Sequence, residues 1–192
     1  MKNKVHFFLV SLIYCSIFLC CQLANAQVKP ISKGSPLPDL SFQDSISKDV
    51  WTYLGISQKK NLFLSDIQAP LFIIEVFSTY CVSCPKNVPV FNSIYSSIEN
   101  DTQLKGKVKV ISIAIGNTQN EVKDYQKKYK TLYPIVTDYH FKAHKAFGNP
   151  RVPYTIFVKR DSKGKNKVIE THQGVFESVD NIIDSIRGML RK

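Results

Sequence analysis

The run Leu71–Pro89, LFIIEVFSTYCVSCPKNVP, constrains what this chain can fold into more than any other stretch. Its first half is a nearly unbroken series of Leu, Phe, Ile and Val, which suits a central parallel strand covered on both faces. Cys81-Val82-Ser83-Cys84 follows, and beyond it Val88, Phe91, Ile94, Tyr95 and Ile98 recur at the spacing of one helical face. Two thiols separated by two residues at the start of a helix can close into a disulfide with little backbone movement, and the helix dipole favours the first as a thiolate. Cys81 is therefore the candidate nucleophile. The competing use of such a pair is half of a zinc site, which needs a second Cys or Cys/His pair at ligand spacing; the sequence has none.

Residues 1–26 stand apart from the fold. Lys2 and Lys4 precede the apolar run Val5–Cys21, and Ala24-Asn25-Ala26 has the small-x-small pattern that signal peptidase reads, so the processed chain is expected to begin at Gln27. The apolar run approaches the lower limit for spanning a bilayer, and an uncleaved anchor is the alternative. Bulky Leu19 or Cys20 argues against a lipid on Cys20 or Cys21. Of the five cysteines, Cys15, Cys20 and Cys21 fall in this segment, which leaves Cys81 and Cys84 alone and excludes a structural disulfide scaffold. One close pair in an exported chain points to redox work in an oxidising, periplasmic or otherwise extracytoplasmic compartment. Losing Lys2 and Lys4 takes the formal charge from +11 to +9. The basic clusters Lys59-Lys60 and Lys127–Lys130 read as solvated faces, and no nucleic-acid motif accompanies them.

The length of 192 residues suits one domain with a sizeable core. Residues 27–60 read as an extended lead-in, with Pro30, Gly34, Pro36 and Pro38 among scattered serines and a short strand expected around Trp51–Ile56. Residues 61–192 form the main domain. There Leu64-Ser65-Asp66-Ile67 leads into the strand Leu71–Ser78, interrupted only by Glu75. Pro85 suits the first turn of the helix that follows, and Pro89 is expected to kink it. Val108–Ile115 is a second buried strand. Thr118 with Glu121 makes a capping-box pattern that opens a helix with Val122, Tyr125 and Tyr129 facing inward. Pro134–Asp138 reads as a strand and Tyr139–Phe147 as a helix closed by Gly148. Tyr154–Lys159 and Val168–His172 are expected to pair as an antiparallel hairpin, and Ser178 to cap a final helix striped by Val179, Ile182, Ile183, Ile186 and Leu190. The order is β-α-β-α-β-α-β-β-α, without internal repeat.

A strand running into Cys-x-x-Cys, a βα crossover, Val152-Pro153 opening a hairpin and a closing helix together resemble the thioredoxin superfamily. Within it, Pro36-Leu-Pro-Asp-Leu-Ser-Phe, the approach Leu64–Ile67 and the extra helix before Pro153 are similar to the exported TlpA/ResA-like thiol–disulfide oxidoreductases. The resemblance implies an α/β, thioredoxin-like fold with a central mixed sheet flanked by helices, an N-terminal extension and an inserted βα element. It also implies roles: Cys81 as attacking thiol, Cys84 as resolving thiol, Pro89 as the proline that bends the active-site helix, and Pro153 as a cis-proline facing the disulfide. Glu75 falls where thioredoxins carry a buried carboxylate, and Gly174 near the glycine after the last strand. Tyr80, Val82, Ser83 and Val152 would line the substrate groove. Three of these depart from the common pattern: Tyr80 replaces tryptophan, Val82-Ser83 is the enclosed pair, and Val152 stands where threonine is commoner.

Each reading has its plainer counterpart. Glu75 would be an outward-facing strand residue, but a strand covered on both sides has no solvated face. Pro153 would be an ordinary trans proline, as most X-Pro bonds are. His140 and His144, one helical turn apart, lack an evident third ligand and read as a solvated helix face. The expected activity is exchange of disulfides with a protein substrate, fed by an upstream thiol–disulfide donor, in the reducing direction and without cofactor or metal. A copper metallochaperone on the same fold is one alternative, although such proteins space the cysteines by three. A thiol peroxidase is the other, although Ile74 stands where its motif has proline.

Overall fold

The computed structural model describes residues 29–43 and 46–191; the expected leader, 1–26, lies outside them. Its strands are β1 (Ser41–Phe42), β2 (Leu62–Phe63), β3 (Leu71–Phe77), β4 (Val108–Ile115), β5 (Ile135–Asp138), β6 (Tyr154–Arg160) and β7 (Asn166–Gln173). Its α-helices are α1 (Lys48–Leu54), α2 (Val88–Asn100), α3 (Gln119–Tyr129), α4 (Lys142–Ala146) and α5 (Val179–Arg191).

All residues of β3 and β4 are buried, which their apolar runs require, and these strands form the middle of a sheet ordered β5-β4-β3-β6-β7. β3 runs parallel to β4 and antiparallel to β6, so the sheet is mixed. One face, with Leu71, Ile73, Val108, Val110 and Phe157, packs on α2 and α5 through Phe91, Ile94, Ile98, Ile182, Ile183 and Ile186. The other, with Phe72, Ile74, Val76, Ile111 and Ile156, is covered by Trp51 and Leu54 of α1 and by Ile31, Phe42 and Leu62. Each fully buried side chain of this size contributes about 1.5–3 kcal/mol. The lead-in is thus one lid of the core. Ile31 N–H donates to the Phe147 carbonyl at 2.8 Å, and a Cβ on Gly148, whose φ is 77°, would overlap the Lys29 carbonyl.

The short strand expected at Trp51–Ile56 is instead helix α1. Trp51 and Tyr53 favour a strand by propensity, but Ser47 accepts the Val50 N–H and Gly55 closes the last turn at φ 72°. With both ends capped, Trp51 and Leu54, three apart, share the buried face. The helix after the cysteines also differs from expectation: Cys84–Asn87 is a 3₁₀ turn, and the α-helix starts at Val88, so Pro89 stands in its first turn. A proline there gives up no intrahelical bond. The segment Tyr139–Phe147 is helical only from Lys142 to Ala146, because Phe141 takes a left-handed conformation at φ 57°. His140 therefore precedes the helix and does not share a face with His144.

Candidate active site

The C-terminal end of β3 delivers the chain into the loop Ser78–Ser83, and Asn117, which follows β4, holds that loop. The fully buried Asn117 accepts the Thr79 N–H at 2.9 Å and the Ser78 hydroxyl at 3.3 Å, and donates to Thr79 Oγ1 at 2.6 Å. Cys81 and Cys84 close a disulfide with Cα atoms 5.4 Å apart. Their environments differ. Cys84 is 1% exposed and packs among Phe77, Val88, Ala114 and Val122, whereas Cys81 is half-buried and Val82 beside it is 92% exposed. The Cys84 N–H donates to Cys81 Sγ at 3.2 Å, and Ser83 Oγ lies 3.4 Å from the same sulfur. Donors at Sγ favour a thiolate there once the disulfide opens.

The Val152–Pro153 peptide is cis, and the Val152 carbonyl oxygen stands 3.7 Å from Cys81 Sγ. Gly174 N–H donates to the Pro153 carbonyl at 2.9 Å, and Gln173 Nε2 donates to Arg151 and Pro153 carbonyls, so the end of β7 fixes the loop facing the sulfur. Tyr80, 68% exposed, turns its hydroxyl to Glu121 Oε1. Glu121 Oε2 meanwhile accepts the Thr118 N–H at 2.7 Å in the capping box of α3. The Tyr80 bond and the Thr118 bonds hold the Glu121 carboxyl down at about 2.

Glu75 is buried in the middle of β3, as the two-sided strand demands. Ser112 Oγ donates to its Oε2 at 2.8 Å and Asn87 Nδ2 to its Oε1 at 3.4 Å. Burial, opposed by these bonds and one from Tyr133, pushes its carboxyl up to about 7. Burial and the neighbouring Glu75 raise the Tyr133 hydroxyl far above the phenol range, so it stays protonated. Asn87 lies in the 3₁₀ turn that begins at Cys84, and its Oδ1 accepts the Phe176 N–H at 3.0 Å. One amide thereby ties the carboxyl to the turn that carries the inner cysteine and to the loop after β7.

Of the residues singled out in the sequence, Tyr80, Cys81, Val82, Ser83, Cys84, Val152 and Pro153 lie together beyond the C-terminal end of β3, and Glu75 lies within β3, linked to the Cys84 turn through Asn87. Sequence reasoning missed Asn87, Ser112, Asn117 and Tyr133. Glu121 was visible as a capping residue, without its bond to Tyr80. Among the described residues no group of three or more His, Cys, Asp or Glu is placed to hold a metal, and no helix is long and apolar enough to cross a membrane.

No family model matches the chain. The thiol–disulfide oxidoreductase ResA of Geobacillus thermodenitrificans is 23% identical over 124 residues, 65% of this chain and 67% of that protein. ResA of Bacillus subtilis is 21% identical over 133 residues, 69% of this chain and 65% of that one. Among solved structures, the thioredoxin domain of a thiol–disulfide oxidoreductase from Bacteroides vulgatus superposes with a TM-score of 0.60 at 12% identity, covering 81% of this chain and 98% of that one. The chain resembles the ResA thiol–disulfide oxidoreductases in sequence and has a thioredoxin-like fold. The ResA matches span 57% to 67% of the relatives' own length, so the roles of individual residues in this ResA-like chain rest on their geometry.

Proposed function

We propose that this protein is an exported thiol–disulfide oxidoreductase that works mainly as a reductant of protein disulfides. The observation that carries the reading is the asymmetry of the pair: Cys81 is accessible with donors at its sulfur, and Cys84 is buried in the turn tied to Glu75. In the reduced protein the Cys81 thiolate attacks a substrate disulfide, forming a mixed disulfide and expelling the first substrate thiolate. Cys84 then gives its proton to Glu75 and, as thiolate, attacks Cys81 Sγ; the Cys81–Cys84 bond forms and the second substrate thiolate leaves. An upstream dithiol returns two electrons by the same steps in reverse. Tyr80, Val82, Ser83 and Val152 surround the outer sulfur and would receive the substrate, with Pro153 positioning the backbone beside it.

The reducing direction is favoured because Val82-Ser83 offers no histidine between the cysteines to stabilise the thiolate. The experiment is equilibration of the purified protein against a dithiol/disulfide buffer series, with turnover of a disulfide-bonded peptide measured alongside. A potential near that of thioredoxin, about −270 mV, is expected, and one near about −120 mV would reverse the direction. Absence of any peptide turnover would remove the enzymatic reading itself.

A further inference from the structure

Glu75 stands in a row of four polar side chains that crosses the sheet on one face. In register, Ser112 of β4 lies beside Glu75 of β3, Thr155 of β6 beside Glu75, and His172 of β7 beside Thr155. Residues directly opposite on antiparallel strands hold their Cβ atoms about 4.5–5.5 Å apart, which puts Thr155 within side-chain reach of Glu75 and of His172, while Ser112 meets Glu75 through its 2.8 Å hydrogen bond. Ser112 and Thr155 are fully buried, and the row reaches partial exposure only at His172.

Thr155 Oγ1 is the unusual member: it is buried and has no hydrogen-bond partner among the described residues. Such a hydroxyl is costly unless something engages it. It sits between a carboxyl and an imidazole, the side chain that takes up and releases protons near neutrality. The other groups on Glu75 lead inward. Asn87 is an amide with no ionisable proton, and Tyr133 and Ser112 are as buried as Glu75 itself.

We propose that Thr155 and His172 are the route by which Glu75 exchanges its proton with solvent between turnovers. The Thr155 hydroxyl bonds neither neighbour in this structure, and the route requires it to turn about its Cα–Cβ bond, accept a proton from the Glu75 carboxyl and pass its own to His172, which releases it to water; the return path restores the hydroxyl. Neither electrons nor covalent bonds to carbon or sulfur change. The His172 ring is held for this task by stacking on Phe176, with centroids 4.0 Å apart and planes at 15°. Asn87 binds both Phe176 N–H and Glu75, which ties the stack and the carboxyl to one frame. The ionisable groups around the two ends of the route are Tyr125 and Tyr133 near Glu75, and the exposed Lys86, Glu170, Glu177 and Asp180 on the elements bordering His172.

This proposal rests on the proton-accepting role of Glu75, and the test separates the two. Multiple-turnover reduction of a disulfide-bonded peptide, with dithiothreitol as donor, is compared across pH for Glu75→Gln, Thr155→Val, Thr155→Ser and His172→Gln. Loss of a relay step is expected to lower turnover by about tenfold in Thr155→Val and His172→Gln, less than loss of the general base. Reduction potential and the rate of the first mixed-disulfide step should be unchanged. Thr155→Ser, which keeps the hydroxyl, should retain the rate, and imidazole buffer should rescue His172→Gln but not Thr155→Val. Equal loss in Thr155→Ser and Thr155→Val would reduce Thr155 to packing and overturn the route. Normal turnover in both relay variants with a slow Glu75→Gln would do so as well, leaving the base role standing. A Glu75→Gln variant with normal turnover would instead remove the base role.

Discussion

The Asn117 side-chain oxygen accepts the Thr79 N–H at 2.9 Å across 38 residues of sequence, and through this bond the end of β4 shapes the loop that presents Cys81. Asn117→Ala leaves the Thr79 N–H, the Thr79 hydroxyl and the Ser78 hydroxyl without their partner. Abandoned polar groups of this kind cost about 1–3 kcal/mol. Urea denaturation of the oxidised protein is expected to show a loss in that range, with hydrogen exchange accelerated first at Thr79 and Tyr80. Unchanged exchange at those amides would mean that the loop is held by other contacts.

The bond between Tyr80 and Glu121 makes a second expectation. Because the phenol hydroxyl is the largest cause of the low Glu121 carboxyl value of about 2, Tyr80→Phe should raise it toward the ordinary carboxylate range. The Thr118 bonds remain in the variant, so the return is partial. Carboxyl titration by NMR reads this directly, and an unmoved Glu121 would detach Tyr80 from the α3 terminus.

These contacts show where the sequence is readable and where it is not. β3, the Thr118–Glu121 capping box and the β6–β7 hairpin are written in local patterns of hydrophobicity and capping chemistry, and they form where those patterns place them. Helix α1 was obscured because the aromatic content of Trp51 and Tyr53 argues for a strand, while its decisive signals are the single residues Ser47 and Gly55 at its ends. Asn87, Ser112 and Asn117 carry no local signal at all. Their partners are 12, 37 and 38 residues away, and a polar residue inside a strand or after it becomes meaningful only when the sheet order is known.

The difference in exposure between the two cysteines predicts which one is caught on a substrate. With Cys84 1% exposed and Cys81 at the surface of the loop, Cys84→Ser should accumulate a mixed disulfide with a disulfide-bonded peptide through Cys81. Cys81→Ser should accumulate little, since its remaining thiol is enclosed by Phe77, Val88 and Val122. Mass spectrometry after acid quenching distinguishes the adducts, and equal trapping by both variants would reverse the assigned order of attack.

Glu75 carries the last expectation, a dependence of stability on pH. In the unfolded chain its carboxyl titrates near the ordinary value of 4.5, and in the folded chain burial raises it to about 7. Between those values the folded protein keeps a proton that the unfolded chain releases, so more protons are bound in the native state and stability falls as pH rises. The contribution is fully present below pH 4.5 and is lost through pH 7, with a ceiling of about 3 kcal/mol from a separation of this size. In the oxidised protein neither cysteine titrates, which isolates the carboxyl. Urea denaturation at pH 5 and pH 8 should therefore show the wild type losing stability relative to Glu75→Gln, whose amide carries no proton to lose. Parallel behaviour of the two proteins across that interval would mean that Glu75 ionises near its ordinary value despite its burial, and that it is already a carboxylate when Cys84 must give up its proton.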